Sequence, residues 1–199
     1  MVTCMNLVAS TPRRRKPLDL KASAGVTLIE LLTVITIVAI LFALGVPSYR
    51  YVTDSNRISG EVNGLLGDMQ YARSEAIKEG QTITVCSSAN PTAVAATCSG
   101  STAWQSGWIV FSDPNGNATV DANEPILRVQ RPFAPGDTFV TTPATGAVTF
   151  NREGFALGLG NTVTVTLHAV VPNASSTRCL DISIVGQLKS ENSGTGGCV

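Results

Sequence analysis

The sequence predicts an α+β protein in which a long N-terminal α-helix packs on a domain of antiparallel β-strands. An apolar stretch without any charge runs from Leu31 to Val46. Apolar residues then recur at steps of mostly three and four as far as Ile77, which is the period of an amphipathic helix. Beyond Gly80 the chain changes to short β-like runs separated by Gly, Pro, Asn and Ser clusters that are typical of turns. A helix followed by strands in this order favours the α+β class.

The first 25 residues are predicted to form a basic leader. Five Lys and Arg residues stand there against Asp19 alone, and basic residues beside a membrane span remain on the cytoplasmic side. The C-terminal part is therefore predicted to lie outside. Without residues 1–25 the chain keeps nine Lys and Arg against thirteen Asp and Glu, a difference of −4. This mildly acidic balance disfavours general binding of polyanions.

Residues 26–80 are predicted to form one helix, whose part from about residue 26 to residue 48 is long enough to span a membrane. Its first half is apolar on nearly all sides, which suits lipid or a bundle of similar helices, whereas its second half has one apolar stripe that suits a sheet. Gly45 and Pro47 are expected to bend or loosen it, and Gly80 is the expected end. Glu30 stands alone at the front edge of the apolar stretch, and a carboxylate in this position is a functional hypothesis.

Residues 81–199 are predicted to form a β-rich domain on the far side of the membrane. Short β-like runs and the turn residues between them predict seven strands. These are Thr82–Cys86, Gly107–Ser112, Ile126–Gln130, Thr138–Thr141, Ala147–Asn151, Thr162–Ala169 and Cys179–Ile184.

Four of the five cysteines lie in this exported part, namely Cys86, Cys98, Cys179 and Cys198. In an oxidising compartment they are expected to form two disulfides, for which three pairings exist. Cys86 with Cys98 and Cys179 with Cys198 is the favoured pairing, because each bond closes a short local loop. A metal site is not favoured, since no C-x-x-C spacing occurs and the sequence has one histidine.

The junction at the front of the helix has a specific form. The block G-V-T-L-I-E-L-L begins at Gly25 and resembles the type III signal of type IV prepilins and pseudopilins. The resemblance implies that a membrane peptidase cuts between Gly25 and Val26 and that the new N-terminus at Val26 is methylated. It also implies that Glu30, the fifth mature residue, guides assembly by pairing with the N-terminal amine of a neighbouring subunit.

Two simpler interpretations of this block were weighed against the resemblance. A secretory signal peptide has its cleavage site after a short apolar core, whereas the glycine junction here precedes the core. A plain transmembrane anchor fits the apolar length but leaves Gly25 and Glu30 without a role.

Later blocks indicate a branch of this superfamily. The runs W-Q-S-G-W-I-V-F-S-D-P-N-G-N from Trp104, F-N-R-E-G-F-A from Phe150 and R-C-L-D-I-S-I-V-G-Q-L-K from Arg178 look like the GspH/FimT family of minor pilins and pseudopilins. The resemblance implies the type IV pilin-like fold and a minor pilin that initiates and assembles the pilus in a priming or tip complex. Its implied partners are other minor and major pilins, the prepilin peptidase and inner-membrane lipid. The implied location is the inner membrane, with a periplasmic C-terminal domain, and then the surface pilus.

Two alternative functions remain within this resemblance. One is the H pseudopilin of type II secretion, although cysteine pairs near the C-terminus favour the FimT/FimU-type minor pilins. The other is a DNA-binding minor pilin for natural transformation, which in this family uses arginines in a G-R-x-R-like segment. The corresponding stretch here is Gly186-Gln187-Leu188-Lys189. With Lys189, Arg178 and Arg152 as the remaining cations, the sequence predicts weak or no DNA binding.

No motif predicts an enzyme, a cofactor or a catalytic residue. The loop from Asp113 to Glu124 matches a calcium-loop template at positions 1, 3, 5, 9 and 12, but Ala118 replaces the turn-forming glycine. Two interpretations of this loop remain, a calcium-binding loop and a polar hairpin loop, and no metal site is predicted.

Trp104 and Trp108 are expected in the core, and His168 is expected to be a strand residue.

Overall fold

The computed structural model of the protein describes residues 25–133, 135–171 and 174–198, apart from the side chains of residues 47, 48 and 175. The rest of the predicted leader, residues 1–24, lies outside the described residues. Helix α1 is Leu28–Glu79 and is 52 residues long. The chain forms two units, residues 1–43 and residues 44–199, and α1 contributes to both.

Nine β-strands follow α1 in the described part of the chain, and every pair of neighbouring strands is antiparallel. They form a five-stranded sheet A, in the order β3-β2-β1-β5-β6, and a four-stranded sheet B, in the order β4-β7-β8-β9. The predicted α+β class is confirmed. The strands are β1 Ile83–Ser87, β2 Trp108–Ser112, β3 Ile126–Gln130, β4 Thr138–Thr142, β5 Ala147–Phe150, β6 Ala156–Leu157, β7 Val163–His168, β8 Thr177–Ile182 and β9 Leu188–Asn192.

The core of the second unit lies between α1 and the two sheets. The buried stripe on α1 advances by four and three residues in turn, so it stays on one face of the helix. Sheets A and B contribute alternate residues, among them Val85 and Val110 from sheet A and Val165 and Leu180 from sheet B. The buried helix residues are Ile58, Val62, Leu65, Met69, Ala72 and Ala76.

A second, smaller core lies on the face of sheet A that points away from α1. Cys86, Ile109 and Phe111 project from β1 and β2 on this face and pack against Ala96 of the loop between the two strands. Cys86 is bonded to Cys98, so the disulfide fastens that loop over the sheet. The sheet is thereby covered on both faces.

Sheet B has its own disulfide. Cys179 on β8 is bonded to Cys198, and both cysteines are buried. The C-terminal segment consequently turns back over the outer face of sheet B, where Gly197 lies close to Thr164 of β7. Both disulfides in the structure have the pairing that the loop lengths favoured.

Removing either disulfide is expected to lower the free energy of unfolding by about 2–4 kcal/mol, because each one restricts the unfolded chain. The variants are Cys86→Ala/Cys98→Ala and Cys179→Ala/Cys198→Ala, compared by denaturant unfolding of the detergent-solubilised chain. Cys4→Ala, in the uncut precursor, is the control and is expected to change nothing. Peptide mapping without reduction that finds a crossed pairing, or free thiols at all four positions, would contradict the assignment.

Two strands were missed from the sequence. β6 has two residues, too few to show any alternation. β9 consists of Leu188, Lys189, Ser190, Glu191 and Asn192, and this polar composition is typical of an edge strand whose outer face meets water. Neither strand has the apolar run on which the sequence prediction depended.

Candidate functional site

The Gly25–Val26 junction lies on an accessible, non-helical segment. Residues 25–27 precede α1, and Val26 is 69% exposed. A bond in exposed backbone outside regular structure is accessible to a peptidase. The backbone at Gly25 and Val26 is therefore exposed and lies outside the helix.

Helix α1 begins at Leu28, two residues later than predicted, because Thr27 caps it. The Thr27 hydroxyl accepts a hydrogen bond from the backbone N–H of Glu30 at 3.3 Å, and the Thr27 carbonyl accepts one from Leu31 at 3.1 Å. Thr27 and Glu30 have the S/T-x-x-E spacing of a capping box. This spacing is visible in the sequence and could have located the helix start. It also places the Glu30 carboxylate in the first turn, where the helix dipole favours a negative charge.

The first half of α1 is an apolar surface without cover in the single chain. All residues from 25 to 46 are exposed, and α1 is the one described helix that is long and apolar enough to span a membrane. Thr33 and Thr36 donate their hydroxyls to the carbonyls of Glu30 and Leu32 at 2.8 and 2.7 Å. These bonds satisfy the hydroxyls inside the helix, as an apolar surrounding requires. Glu30 is thus the charged residue of a surface that is otherwise suited to lipid or to other helices.

The cations that could contact DNA all have partners on the protein. Lys189 Nζ lies 2.5 Å from Glu191 Oε1, and Arg152 Nε lies 2.8 Å from Glu153 Oε1. Arg178 donates to the Thr177 carbonyl at 2.9 Å. Two of these cations, Lys189 and Arg152, thus lie beside a carboxylate that offsets part of their charge.

Gly186, the first residue of the segment compared with G-R-x-R, has a structural role. Its φ is 72°, and a Cβ there would lie 1.9 Å from the Gly154 carbonyl oxygen. Only glycine permits this conformation and this approach at once. Its presence is therefore accounted for by packing and does not indicate nucleic-acid binding.

The loop from Asp113 to Glu124 is built as a hydrogen-bonded turn. Asp113 is fully buried, and its carboxylate accepts the backbone N–H of Asn117 at 3.1 Å and of Ala118 at 3.0 Å. Thr84 of β1 donates its hydroxyl to the same carboxylate at 2.6 Å. Ala118 takes the left-handed conformation, with φ 56°. The loop side chains thus act as acceptors for the loop itself, which favours the polar hairpin interpretation.

Trp104 and Trp108 are core residues, as predicted. The exposures of their side chains are 1% and 0%. The Trp108 indole N–H donates to Asp68 on α1 at 2.8 Å, and Asp68 also pairs with Arg128 of β3 at 3.0 Å. These two bonds connect β2 and β3 to α1.

His168 lies at the end of β7, as expected, and its ring contacts the Thr177 hydroxyl.

Comparison with known proteins identifies what this architecture resembles. The sequence profile of the family described as Type II transport protein GspH matches residues 61–186. No protein in the curated set matches the sequence significantly.

Solved structures with a similar fold include a type IV minor pilin and a minor pseudopilin. The crystal structure of the type IV minor pilin FimU from Pseudomonas aeruginosa is 21% identical, covers 70% of this chain and 92% of its own, and gives a TM-score of 0.55. FimU in a second crystal form gives 22% identity and a TM-score of 0.49, with 67% of this chain and 90% of its own covered. The minor pseudopilin EpsH of the Vibrio cholerae Type 2 Secretion System is 10% identical with a TM-score of 0.45, over 68% of this chain and 97% of its own.

Proposed function

The chain belongs to the GspH family of minor pilins and pseudopilins, and from this premise we propose that it is a minor type IV pilin that helps to initiate and assemble the pilus. The family consists of structural pilins that work in assemblies with other pilins. The observation that carries the proposal is the front of α1. There a glycine junction, an exposed apolar helix and one carboxylate follow one another within residues 25–46.

Assembly is expected to proceed through the charge of Glu30. Cleavage between Gly25 and Val26 creates a free amine at Val26, beside the first turn of α1. Two opposite charges inside lipid or a helix bundle are tolerable only when they are paired. The Glu30 carboxylate is therefore expected to form an ion pair with the Val26 amine of a neighbouring subunit. This pair would set the axial register between the two helices, and the β-domain would determine which subunit binds.

The proposed location follows from the same segment. One candidate span precedes a C-terminal globular unit, which supports a single membrane anchor. The positive charges before residue 25 support a periplasmic position for this unit. From there the processed subunit is expected to enter a priming or tip complex with other minor pilins, where it is exposed on the surface fibre.

Fibres sheared from the cell surface provide the test of this function. The processed protein is expected in the sheared fibre fraction at a low ratio to the major pilin, and deletion of its gene is expected to reduce fibre number sharply. The type II secretion alternative predicts a different result, in which fibres are unchanged and secreted proteins accumulate in the periplasm. That outcome would overturn the pilus assignment while leaving the family assignment intact.

The transformation alternative is tested by DNA binding. The detergent-solubilised processed chain is expected to bind duplex DNA weakly or not at all at near-physiological salt, because Lys189, Arg152 and Arg178 are already engaged. Residual binding is expected to fall steeply with salt. The measurement is a mobility-shift titration with Lys189→Ala as the comparison. A micromolar or tighter complex that this substitution abolishes would instead favour the DNA-receptor function.

A further inference from the structure

Two buried carboxyl groups lie on either side of the same arginine, Arg57, between helix α1 and the start of strand β4. Glu61 lies on the helix with 7% of its surface exposed, and Asp137 immediately precedes β4 with its side chain fully buried. Glu61 Oε2 and Asp137 Oδ2 are both buried and find no hydrogen-bond partner among the described residues. Two ionised carboxylates cannot satisfy each other, since both are acceptors only. A single proton placed between them would satisfy both oxygens.

One cation serves this pair. Arg57 Nη2 donates to Asp137 Oδ1 at 2.7 Å, whereas its Nε lies 3.9 Å from Glu61 Oε1, which is beyond hydrogen-bonding distance. Arg57 also contacts Asp54 at 3.2 Å on the outer side of the cluster. The Arg57 guanidinium thus forms its shortest ion pair with Asp137 and a second ion pair with Asp54. In the described part of the chain, Arg57 at 3.9 Å is the nearest cation to Glu61 within salt-bridge distance.

The chain holds Asp137 in this place through a tight loop. Gly136 has a φ of 102°, and a Cβ there would lie 2.7 Å from Val170 Cγ2. The positive φ favours glycine here, because a residue with a side chain is strained in this conformation. The close approach fixes the direction in which the next residue, Asp137, enters the interface with α1.

The other charged groups around the cluster leave this arrangement unchanged. From β8, Arg178 reaches α1 at Ser55, 3.5 Å from its hydroxyl. From β7, His168 contacts Thr177 and lies opposite Thr138, so it is on the face of sheet B away from α1. Among the described residues, the charged groups that act on Glu61 are Arg57 on its own helix and Asp137, which precedes β4; Asp54 faces Arg57.

We propose that Glu61 and Asp137 form a proton-dependent latch between α1 and β4. When Glu61 is protonated, its O–H donates to Asp137, Arg57 neutralises Asp137, and the pair holds the helix to the edge strand of sheet B. When Glu61 releases its proton to solvent, two buried negative charges repel each other beside one cation, and this contact weakens. The latch concerns the domain itself and does not depend on the proposed function.

The direction of the pH effect follows from the shift at Glu61. Burial raises the pKa of Glu61 from 4.5 to about 7, and the neighbouring Asp137 adds to the rise while Arg57 opposes it. A group whose pKa is higher in the folded than in the unfolded state stabilises the fold when it is protonated. The contribution is complete below about pH 4.5 and is lost as the pH rises through about 7.

Thermal unfolding of the full chain in a non-titrating detergent tests the latch. The melting temperature of the wild-type chain is expected to fall by at least about 3 °C between pH 5.5 and pH 8.5. Glu61→Gln keeps the shape and the donor without the charge, so it is expected to remove most of this fall and to melt above the wild type at pH 8.5. The control Glu153→Gln removes an exposed carboxylate and is expected to retain the full pH dependence.

A wild-type fall that persists in Glu61→Gln would overturn the proposal. A second measurement on the unmodified chain remains decisive even if the variant does not fold. Carboxyl-carbon NMR of Glu61 is expected to titrate near neutral pH. A midpoint near the ordinary glutamate value would show that Glu61 and Asp137 share no proton.

Discussion

Gly25→Arg is expected to leave the entire population of the protein uncut in a host with an active prepilin peptidase. Glycine has no side chain, so the peptide bond after it can lie close to a catalytic site. An arginine there adds both bulk and a charge that is costly to bury at the membrane. The wild-type chain is expected to begin at a methylated Val26 when its N-terminus is determined by mass spectrometry.

The control for this substitution is Ser23→Arg, which adds the same charge two residues earlier and keeps the glycine junction. It is expected to be cut normally. A wild-type mature protein that begins elsewhere than Val26 would refute the proposed processing, and so would normal cutting of Gly25→Arg.

Glu30→Ala is expected to be cut but to enter fibres at least about tenfold less than the wild type. Removing one member of a buried ion pair typically costs about 3–5 kcal/mol, and about 1.4 kcal/mol already corresponds to tenfold in an equilibrium. The substitution is expected to weaken docking between subunits and not the helix itself. The hydrogen bond that caps the helix joins the backbone N–H of Glu30 to the Thr27 hydroxyl, and alanine keeps both groups. Helix formation should therefore survive.

The measurement is the ratio of this protein to major pilin in sheared fibres, with membrane content measured in parallel. Glu79→Ala, at the other end of the same helix, is the matched control and is expected to be incorporated normally. Glu30→Gln separates charge from shape and is expected to fail like alanine. Normal incorporation of Glu30→Ala would remove the role assigned to this carboxylate.

The sequence predicted the parts of the fold that depend on local pattern. The stripe from Ile58 to Ala76 was visible as a helical period, and the buried strands β1 and β2 were visible as apolar runs. The short disulfide loops were found for the same reason, since nearby cysteines can meet without any knowledge of topology. The helix start was missed by two residues because the Thr27 cap was not considered.

Contacts between residues that are far apart in the sequence could not be predicted from local pattern. Glu61 and Asp137 are far apart in sequence, and each alone is unremarkable in its segment; the pair exists only because β4 packs beside α1. The same is true of Asp68, which meets Trp108 and Arg128 through the packing of sheet A on the helix. A single-sequence pattern records which residues face the core but not which of them meet there.

The two covered faces of sheet A have different roles. On one side the sheet supports the helix, and a change of volume there disturbs the main core. On the other side the surface consists of loops, such as the one that carries the fully exposed Val94, fastened by Cys86 and Cys98. Substitutions in these loops are therefore expected to have little effect on α1. The outward surface of sheet A can diverge in sequence while the core between the sheet and the helix stays the same.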